Sequence, residues 1–394
     1  MKKNYLFLMN TRQMGGAERQ IMDYFNYIDY NNYSVIWAVK QNNFSEYLTN
    51  LPVKITEMPN TDNEGILKKF FKFYRFFKSS KPDCIIFSQF WLRSFSLPEI
   101  LAGYLIAKGN IFMVIHDCAL PYEQYKSRKH FCFLPGFGFE WRRERLFQKM
   151  LVFLIKKTIP VSKKVKEYLI NFHKYPHDKI RLAYHGIDTN KFSPSLNKRL
   201  RLRSNLDIPA GSVIILSTSR LDKIKRLDRL IEVFSIIAKQ KSNIYLVFAG
   251  AGSELDNLQS QVNTLGNNIK ERIRFLGFQK DISGLLQGSD IFALSSDSEG
   301  LSLSLLEAMS CGLICIATEC GGVPEVIDNN KNGFLVEVSS QGLIQGLRKA
   351  LDLTEEEKKR ISNNARKTME KKFNLQNNVY YVLRLIGINH KKYA

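Results

Sequence analysis

The stretch Asp290–Ala317, D-I-F-A-L-S-S-D-S-E-G-L-S-L-S-L-L-E-A-M-S-C-G-L-I-C-I-A, decides the fold class. Residues 290–294 form an apolar run of strand length. Ser295 to Ser298 are turn formers, and Glu299-Gly300 stands at the mouth of a helix. The spacing of Leu303, Leu306 and Met309 puts them on one face of that helix, and Gly312 is placed to stop it. A second apolar run, 313–317, follows. Strand, acidic turn, helix and strand in that order make a parallel βαβ unit. Glu299 falls just before the helix and Glu307 lies in its body. Two carboxylates so placed can face one pocket at the carboxyl edge of the sheet, where open α/β folds bind ligands. Carboxylates accept hydrogen bonds from hydroxyls and repel anions, so the pair suits a polyol such as a sugar or ribose. The spacing equally allows one helix-dipole carboxylate and one solvated glutamate.

The same alternation extends backwards from this stretch. Strands are predicted at 213–218, 244–249 and 272–276, with helices at 226–240, 253–265 and 281–288 between and after them. Helices at about 341–352 and 355–371 come near the end. The first half repeats the pattern, with strands at 4–9, 33–39, 53–57, 111–115, 158–161 and 179–184, and with 81–87 read as helix end, proline breaker and strand. A turn and a polar, proline-marked linker, residues 185–194, interrupt the series. The reading is α/β: two Rossmann-like parallel-sheet domains facing a deep cleft. The domains are 1–190 and 191–374, and 375–394 is expected to return to pack on the first.

Length and composition agree with two globular domains: 394 residues, 44% hydrophobic and 24% charged. No run approaches the ~18–20 apolar residues of a membrane span. Met1 to Met9 reads as a first strand rather than a signal peptide, because its apolar core is too short. The six cysteines, at 84, 118, 132, 311, 315 and 320, make no Cys-x-x-Cys pair, which points to free thiols rather than a zinc ribbon or redox motif. The net charge is +21, with 29 basic and 16 acidic residues up to 190 against 29 and 21 beyond. Such an excess attracts nucleic acid, anionic lipid or a phosphorylated substrate.

Two segments combine basic and aromatic residues. In 64–80, Ile66, Leu67, Phe70, Phe71, Phe73, Tyr74 and Phe77 share one broad helical face, and Lys68, Lys69, Lys72, Arg75 and Lys78 occupy much of the rest. This is either a crossover helix with a solvated basic face or a membrane-surface helix, and the two are compatible. Residues 139–157 repeat the pattern after an aromatic, glycine-containing loop, Phe131 to Phe139.

Chemistry concentrates at the ends of predicted strands. Arg220 and Lys225 follow the strand 213–218 and precede a helix, where cations and a helix N-terminus suit a diphosphate. Their high pKa values make them fixed charges rather than general acids. Gly250-x-Gly252 is a turn that either admits a nucleotide or merely joins strand to helix, and Gly321-Gly322-Val-Pro-Glu325 is another glycine loop. Gly15-Gly16 before the first helix lets backbone approach a ligand or simply makes a tight turn. His116 lies directly after the strand 111–115.

Together, Arg220-x4-Lys225, the Gly250-x-Gly252 turn, Glu299-x7-Glu307 with E-A-M-S-C-G, and G-G-V-P-E-V resemble glycosyltransferase family 4. Gly15-Gly-Ala-Glu18, Val114-Ile-His116-Asp117 and His185-Gly-Ile-Asp-Thr resemble that family's other landmarks. The resemblance implies the GT-B fold and a retaining transferase that uses a nucleotide diphosphate sugar, UDP- or GDP-linked, as donor substrate, with no separate cofactor. It implies that Arg220 and Lys225 hold the diphosphate, Glu307 the ribose hydroxyls, and Glu299 the donor sugar. The amides of Gly300, Leu301, Ser302 and Leu303 then contact sugar and phosphate, Gly250 and Gly252 belong to the nucleotide site, Gly15 and Gly16 let the first domain close on the diphosphate, and His116 lies beside the sugar. Ser302 stands where many members have glycine, and no Asp-x-Asp motif occurs, Asp297-Ser-Glu299 being nearest, so a metal clamp is unsupported. The implied acceptor is a glycan or lipid-linked glycan of bacterial surface polysaccharide assembly, and the implied location is cytoplasmic, peripheral on the inner membrane face. An alternative is a GT-B-fold sugar-nucleotide epimerase. Nucleic-acid binding rests on charge alone and finds no recognised module.

Overall fold

A computed structural model describes residues 2–11, 15–41, 48, 50–62, 64–89, 95–117 and 150–389. The chain divides into two compact units, Met1–His185 with Gln376–Ala394, and Gly186–Leu375.

Unit 1 carries β1 (Lys3–Met9), α1 (Gly16–Asn26), β2 (Tyr33–Val39), β3 (Val53–Glu57), α2 (Ile66–Ser80), β4 (Cys84–Gln89), α3 (Leu97–Ile106), β5 (Ile111–Ile115), β6 (Lys157–Pro160) and α4 (Lys163–Asn171). Its sheet is parallel throughout, in the order β3-β2-β1-β4-β5-β6. In β5 every residue is buried, because helices cover both faces of such a sheet. Ser162 caps α4, its hydroxyl accepting from the Val165 amide at 3.2 Å.

Unit 2 begins with α5 (Leu196–Asn205) and β7 (Val213–Thr218), then α6 (Leu227–Ala238), β8 (Ile244–Ala249), α7 (Leu255–Asn263), β9 (Ile273–Phe275), α8 (Ser283–Gly288) and β10 (Ile291–Leu294). It continues with α9 (Leu303–Ser310), β11 (Ile314–Thr318), β12 (Phe334–Val336), α10 (Ser340–Leu351) and α11 (Glu355–Lys372). The sheet is again parallel, in the order β12-β11-β10-β7-β8-β9. α12 (Leu375–Leu385) leads the C-terminal segment into unit 1, where Tyr5 Oη donates to the Gly387 carbonyl at 2.9 Å and the Asn389 amide donates to Tyr33 Oη at 3.0 Å.

The structure departs from the sequence reading in several places, and α3 and β12 were not predicted at all. Residues 179–184 form no strand. Arg181 and Ala183 donate to the Thr158 and Pro160 carbonyls at 2.9 and 3.1 Å, but Pro160 has no N–H to return. Between the linker and β7, where no element was expected, lies α5, a helix without an apolar stripe, which buries Leu202 and the Arg203 guanidinium. The apolar face of α2 is split: Phe73 and Phe77 are buried, whereas Ile66, Leu67 and Phe71 stay exposed. Lastly, α9 does not bury one face only, since Leu305, Leu306, Ala308 and Met309 are all fully buried. Of the second basic segment, 150–154 are helical and 139–149 lie outside the described residues, as do Phe131 to Phe139, Cys118 and Cys132. Cys84, Cys311, Cys315 and Cys320 are free and buried.

Candidate active site

Counted within its own unit, each sheet has the strand order 3-2-1-4-5-6. Strand order therefore reverses between β7 and β10 in unit 2, and between β1 and β4 in unit 1. Ligands of open α/β sheets bind outside the carboxyl ends at such a reversal.

In unit 2 the loops leaving β7 and β10 meet at that point. Lys225 Nζ lies 2.7 Å from Glu299 Oε1, and Ser296 Oγ donates to the same oxygen at 2.6 Å. Glu299 Oε2 accepts from no described residue. Both side chains are largely shielded, at 18% and 8% exposure, so their attraction is less screened than that of a surface pair. Arg220, on the same loop, is half-exposed and holds Asp222 Oδ2 at 2.8 Å. Each candidate phosphate cation thus has a carboxylate partner that orients it.

The glycines explain how these loops come so close. A Cβ on Gly250 would lie 1.8 Å from the Ser219 carbonyl oxygen, and one on Gly252 would lie 2.5 Å from that of Leu221. At these positions glycine lets the β8 loop lie against the β7 loop. Gly321 works likewise: its φ is +50°, a Cβ would sit 1.5 Å from the Glu299 oxygen, and Gly322 N donates to that oxygen at 3.1 Å. Four loops are laced backbone to backbone around Lys225 and Glu299.

α9 supplies the remaining candidates. Ser302 is its N-cap, accepting from the Leu305 amide at 3.4 Å, so a serine here gains a cap that glycine lacks. The amides of Gly300, Leu301, Ser302 and Leu303 donate to no backbone carbonyl among the described residues, which leaves a helix N-terminus with unpaired donors. Glu307 is 2% exposed, which removes the solvated-glutamate reading of that residue. Asp297 is occupied by Arg226 and Arg229 at 3.2 and 2.9 Å. Sequence reasoning passed over Ser296, Asp297 and Asp222, whose significance depends on which distant loop each one faces.

His116, Gly15 and Gly16 belong to unit 1. Gly15 caps α1, and a Cβ on it would press on Glu18 Oε2 at 3.0 Å. Gly16 is the first residue of the helix. His116 follows β5 and is buried, with Nε2 2.7 Å from Ser88 Oγ and Nδ1 3.4 Å from His185 Nε2. Burial pushes His116 down to about 3, and burial with the neighbouring imidazole holds His185 well below the ordinary histidine range. Both rings are neutral near pH 7, so His116 acts there through hydrogen bonds rather than as a cation. Ser88 carried no signal in the sequence.

Residues 14–191 match the family model described as Glycosyltransferase Family 4, and residues 198–368 match that of Glycosyl transferases group 1. N-acetyl-alpha-D-glucosaminyl L-malate synthase of Bacillus anthracis is 33% identical over 163 residues, 41% of this chain and 42% of that protein. UDP-Gal:alpha-D-GlcNAc-diphosphoundecaprenol alpha-1,3-galactosyltransferase of Escherichia coli is 29% identical over 213 residues, 52% and 55% of the two chains. The chain spans about half the length of the curated relatives it matches. The crystal structure of Anabaena HepE in complex with UDP and glucose shares the fold, with a TM-score of 0.77 over 97% of this chain and 98% of that one at 21% identity.

Proposed function

The chain belongs to glycosyltransferase family 4, and from that premise we propose that it moves a sugar from a UDP- or GDP-linked donor to an acceptor hydroxyl with retention of configuration. The observation that carries the reading is the meeting of Lys225 and Glu299 where the strand order reverses, 2.7 Å apart, with Arg220 on the same loop. That arrangement sets cations for a diphosphate beside a carboxylate oxygen for a sugar hydroxyl.

In the proposed reaction the bond between the sugar's anomeric carbon and the diphosphate oxygen breaks, and a bond to the acceptor oxygen forms on the same face. The acceptor's proton passes to the departing diphosphate. Arg220 and Lys225 stabilise the charge that gathers on the leaving group, a preorganised electrostatic effect. Glu299 accepts from the sugar hydroxyls through Oε2. It is not the nucleophile, because Lys225 and Ser296 hold its other oxygen and draw charge from the carboxylate. The amides at Gly300 to Leu303 receive sugar and phosphate oxygens, and Glu307 takes the ribose. Arg220 and Lys225 supply the charge neutralisation that a metal would otherwise give, so transfer should continue in excess EDTA.

The acceptor proposed is a lipid-linked glycan intermediate of surface polysaccharide synthesis. The E. coli relative, whose name specifies a diphosphoundecaprenol acceptor, supports this class. So do Ile66 and Leu67, each 74% exposed, among the lysines of α2, a surface suited to anionic lipid. Among the described residues no helix is long and apolar enough to cross a membrane.

Thermal unfolding with UDP, GDP and their sugars tests the donor site, since a ligand that binds only the native state raises Tm. Arg220→Ala and Lys225→Ala should each cut kcat by about a hundredfold, and Glu307→Ala should raise the donor KM. Wild-type rates in both cation variants would remove the assignment. NMR of the product's anomeric proton decides retention.

A further inference from the structure

Lys225 and Glu299 stand on different loops, and the connection between those loops runs through Asp297. Its Oδ1 accepts from Arg229 Nη2 at 2.9 Å, its Oδ2 from Arg226 Nη1 at 3.2 Å, and its amide donates to the Ile224 carbonyl at 2.9 Å. Arg229 is buried and also donates to the Ser295 carbonyl at 3.3 Å, while Ser295 Oγ donates to the Lys225 carbonyl at 2.8 Å. These bonds surround the turn that delivers Lys225. Arg226, the next residue, has φ 50° and ψ 44°, the left-handed region that a residue with a side chain enters only when its surroundings hold it there. Its guanidinium is gripped between Asp228 and Asp297.

We infer that Asp297 is a positioning residue, locking the Lys225 turn through Arg226 and Arg229 so that the ammonium is aimed at the donor diphosphate. This rests on the reading above that Lys225 binds that diphosphate. Asp297 itself touches no ligand in this account. Its side chain acts by shape, and electrostatics alone would give the opposite sign. Asp297 neutralises two guanidinium groups beside an anion site. If charge were its whole contribution, removing it would tighten diphosphate binding. If it positions Lys225, removing it weakens binding although the site becomes more positive.

Calorimetric titration with UDP and with GDP, at fixed ionic strength, separates these outcomes. The proteins are the wild type, Asp297→Asn, Lys225→Ala and the double variant. Asp297→Asn should weaken binding by about tenfold, and the double variant should bind no more weakly than Lys225→Ala, because the two residues act as one unit. Arg226→Lys keeps the charge but loses the planar fork that spans Asp228 and Asp297, so it keeps the test available should Asp297→Asn fail to fold. It should give a loss of the same sign, about threefold. Binding by Asp297→Asn equal to or tighter than wild type would overturn the inference, and so would losses that multiply in the double variant. Unchanged binding by Lys225→Ala would overturn the diphosphate assignment, and with it the clamp.

Discussion

Gly321 shows how much of the candidate site depends on single backbone positions. Its φ of +50° is unfavourable for an L-residue by about 1–2 kcal/mol, and a Cβ would also fall 1.5 Å from the Glu299 carbonyl oxygen. The conformational cost is tolerable alone, but the overlap is not, because both partners are backbone. Gly277 separates the two effects: its φ is +65°, and a Cβ there meets nothing within 4 Å. Gly277→Ala should therefore cost only the conformational part, about 1 kcal/mol, and leave UDP or GDP affinity unchanged. Gly321→Ala should cost several times more and weaken nucleotide binding, because the loop bearing Glu299 has to move. Urea unfolding and ligand titration of the two variants check both halves. Equal effects would show that φ alone matters at Gly321. The sequence places Gly321 in a Gly-Gly loop, but only the structure reveals that it is packed against backbone and that Gly277 is not.

At the scale of the element, α2 illustrates what periodicity can and cannot say. Seven apolar residues on one broad arc predict a single buried face, yet the sheet and α3 occupy only part of that arc. Phe77 is fully buried and Phe73 nearly so, and Gly103 of α3 lets the helices close, a Cβ there lying 3.4 Å from the Phe77 ring. Ile66, Leu67 and Phe71 are left at 74%, 74% and 55% exposure among lysines. Sequence gives the angular width of an apolar surface but not the width of its partner. Two consequences separate the halves of this helix. Phe77→Ala should cost about 3–5 kcal/mol through the cavity it leaves. Replacing Ile66, Leu67 and Phe71 with serine should change stability by at most about 0.5 kcal/mol per site. The triple variant should nevertheless lose flotation with vesicles containing phosphatidylglycerol. Undiminished flotation by that variant would take α2 out of any membrane contact.

Across the whole molecule, legibility followed locality. Most strands read clearly because a parallel sheet covered on both faces demands unbroken apolar runs, as in Ile314–Thr318, where every residue is buried, whereas the three-residue edge strand β12 is too short to show such a run. α5 was hidden because it offers Leu202 and a buried arginine rather than a stripe. Arg220, Lys225, Glu299 and Glu307 were visible as motifs at helix mouths. The roles of Asp297 and Ser88 were not, because their partners, Arg226, Arg229 and His116, lie on loops and a helix distant in sequence that only the fold brings near. The His116–His185 pair is of the same non-local kind, 69 residues apart, and it has a consequence for the stability of unit 1. Both histidines are depressed by burial, His116 to about 3. Near pH 7 neither the folded nor the unfolded rings carry much charge, so their contribution is then fully present. As pH falls below the unfolded value of about 6.5, the unfolded chain takes up protons that the folded one refuses, and stability declines. Between pH 7 and 5 His116 alone should cost unit 1 about 2 kcal/mol, and His185 acts in the same direction. Trp37 is fully buried in unit 1 and the sequence of unit 2 contains no tryptophan, so tryptophan fluorescence in urea does not report on unit 2. A His116→Asn, His185→Asn double variant should show a distinctly shallower decline over the same range. Parallel curves for wild type and variant would mean that the two rings gain protons in the folded state as readily as in the unfolded one.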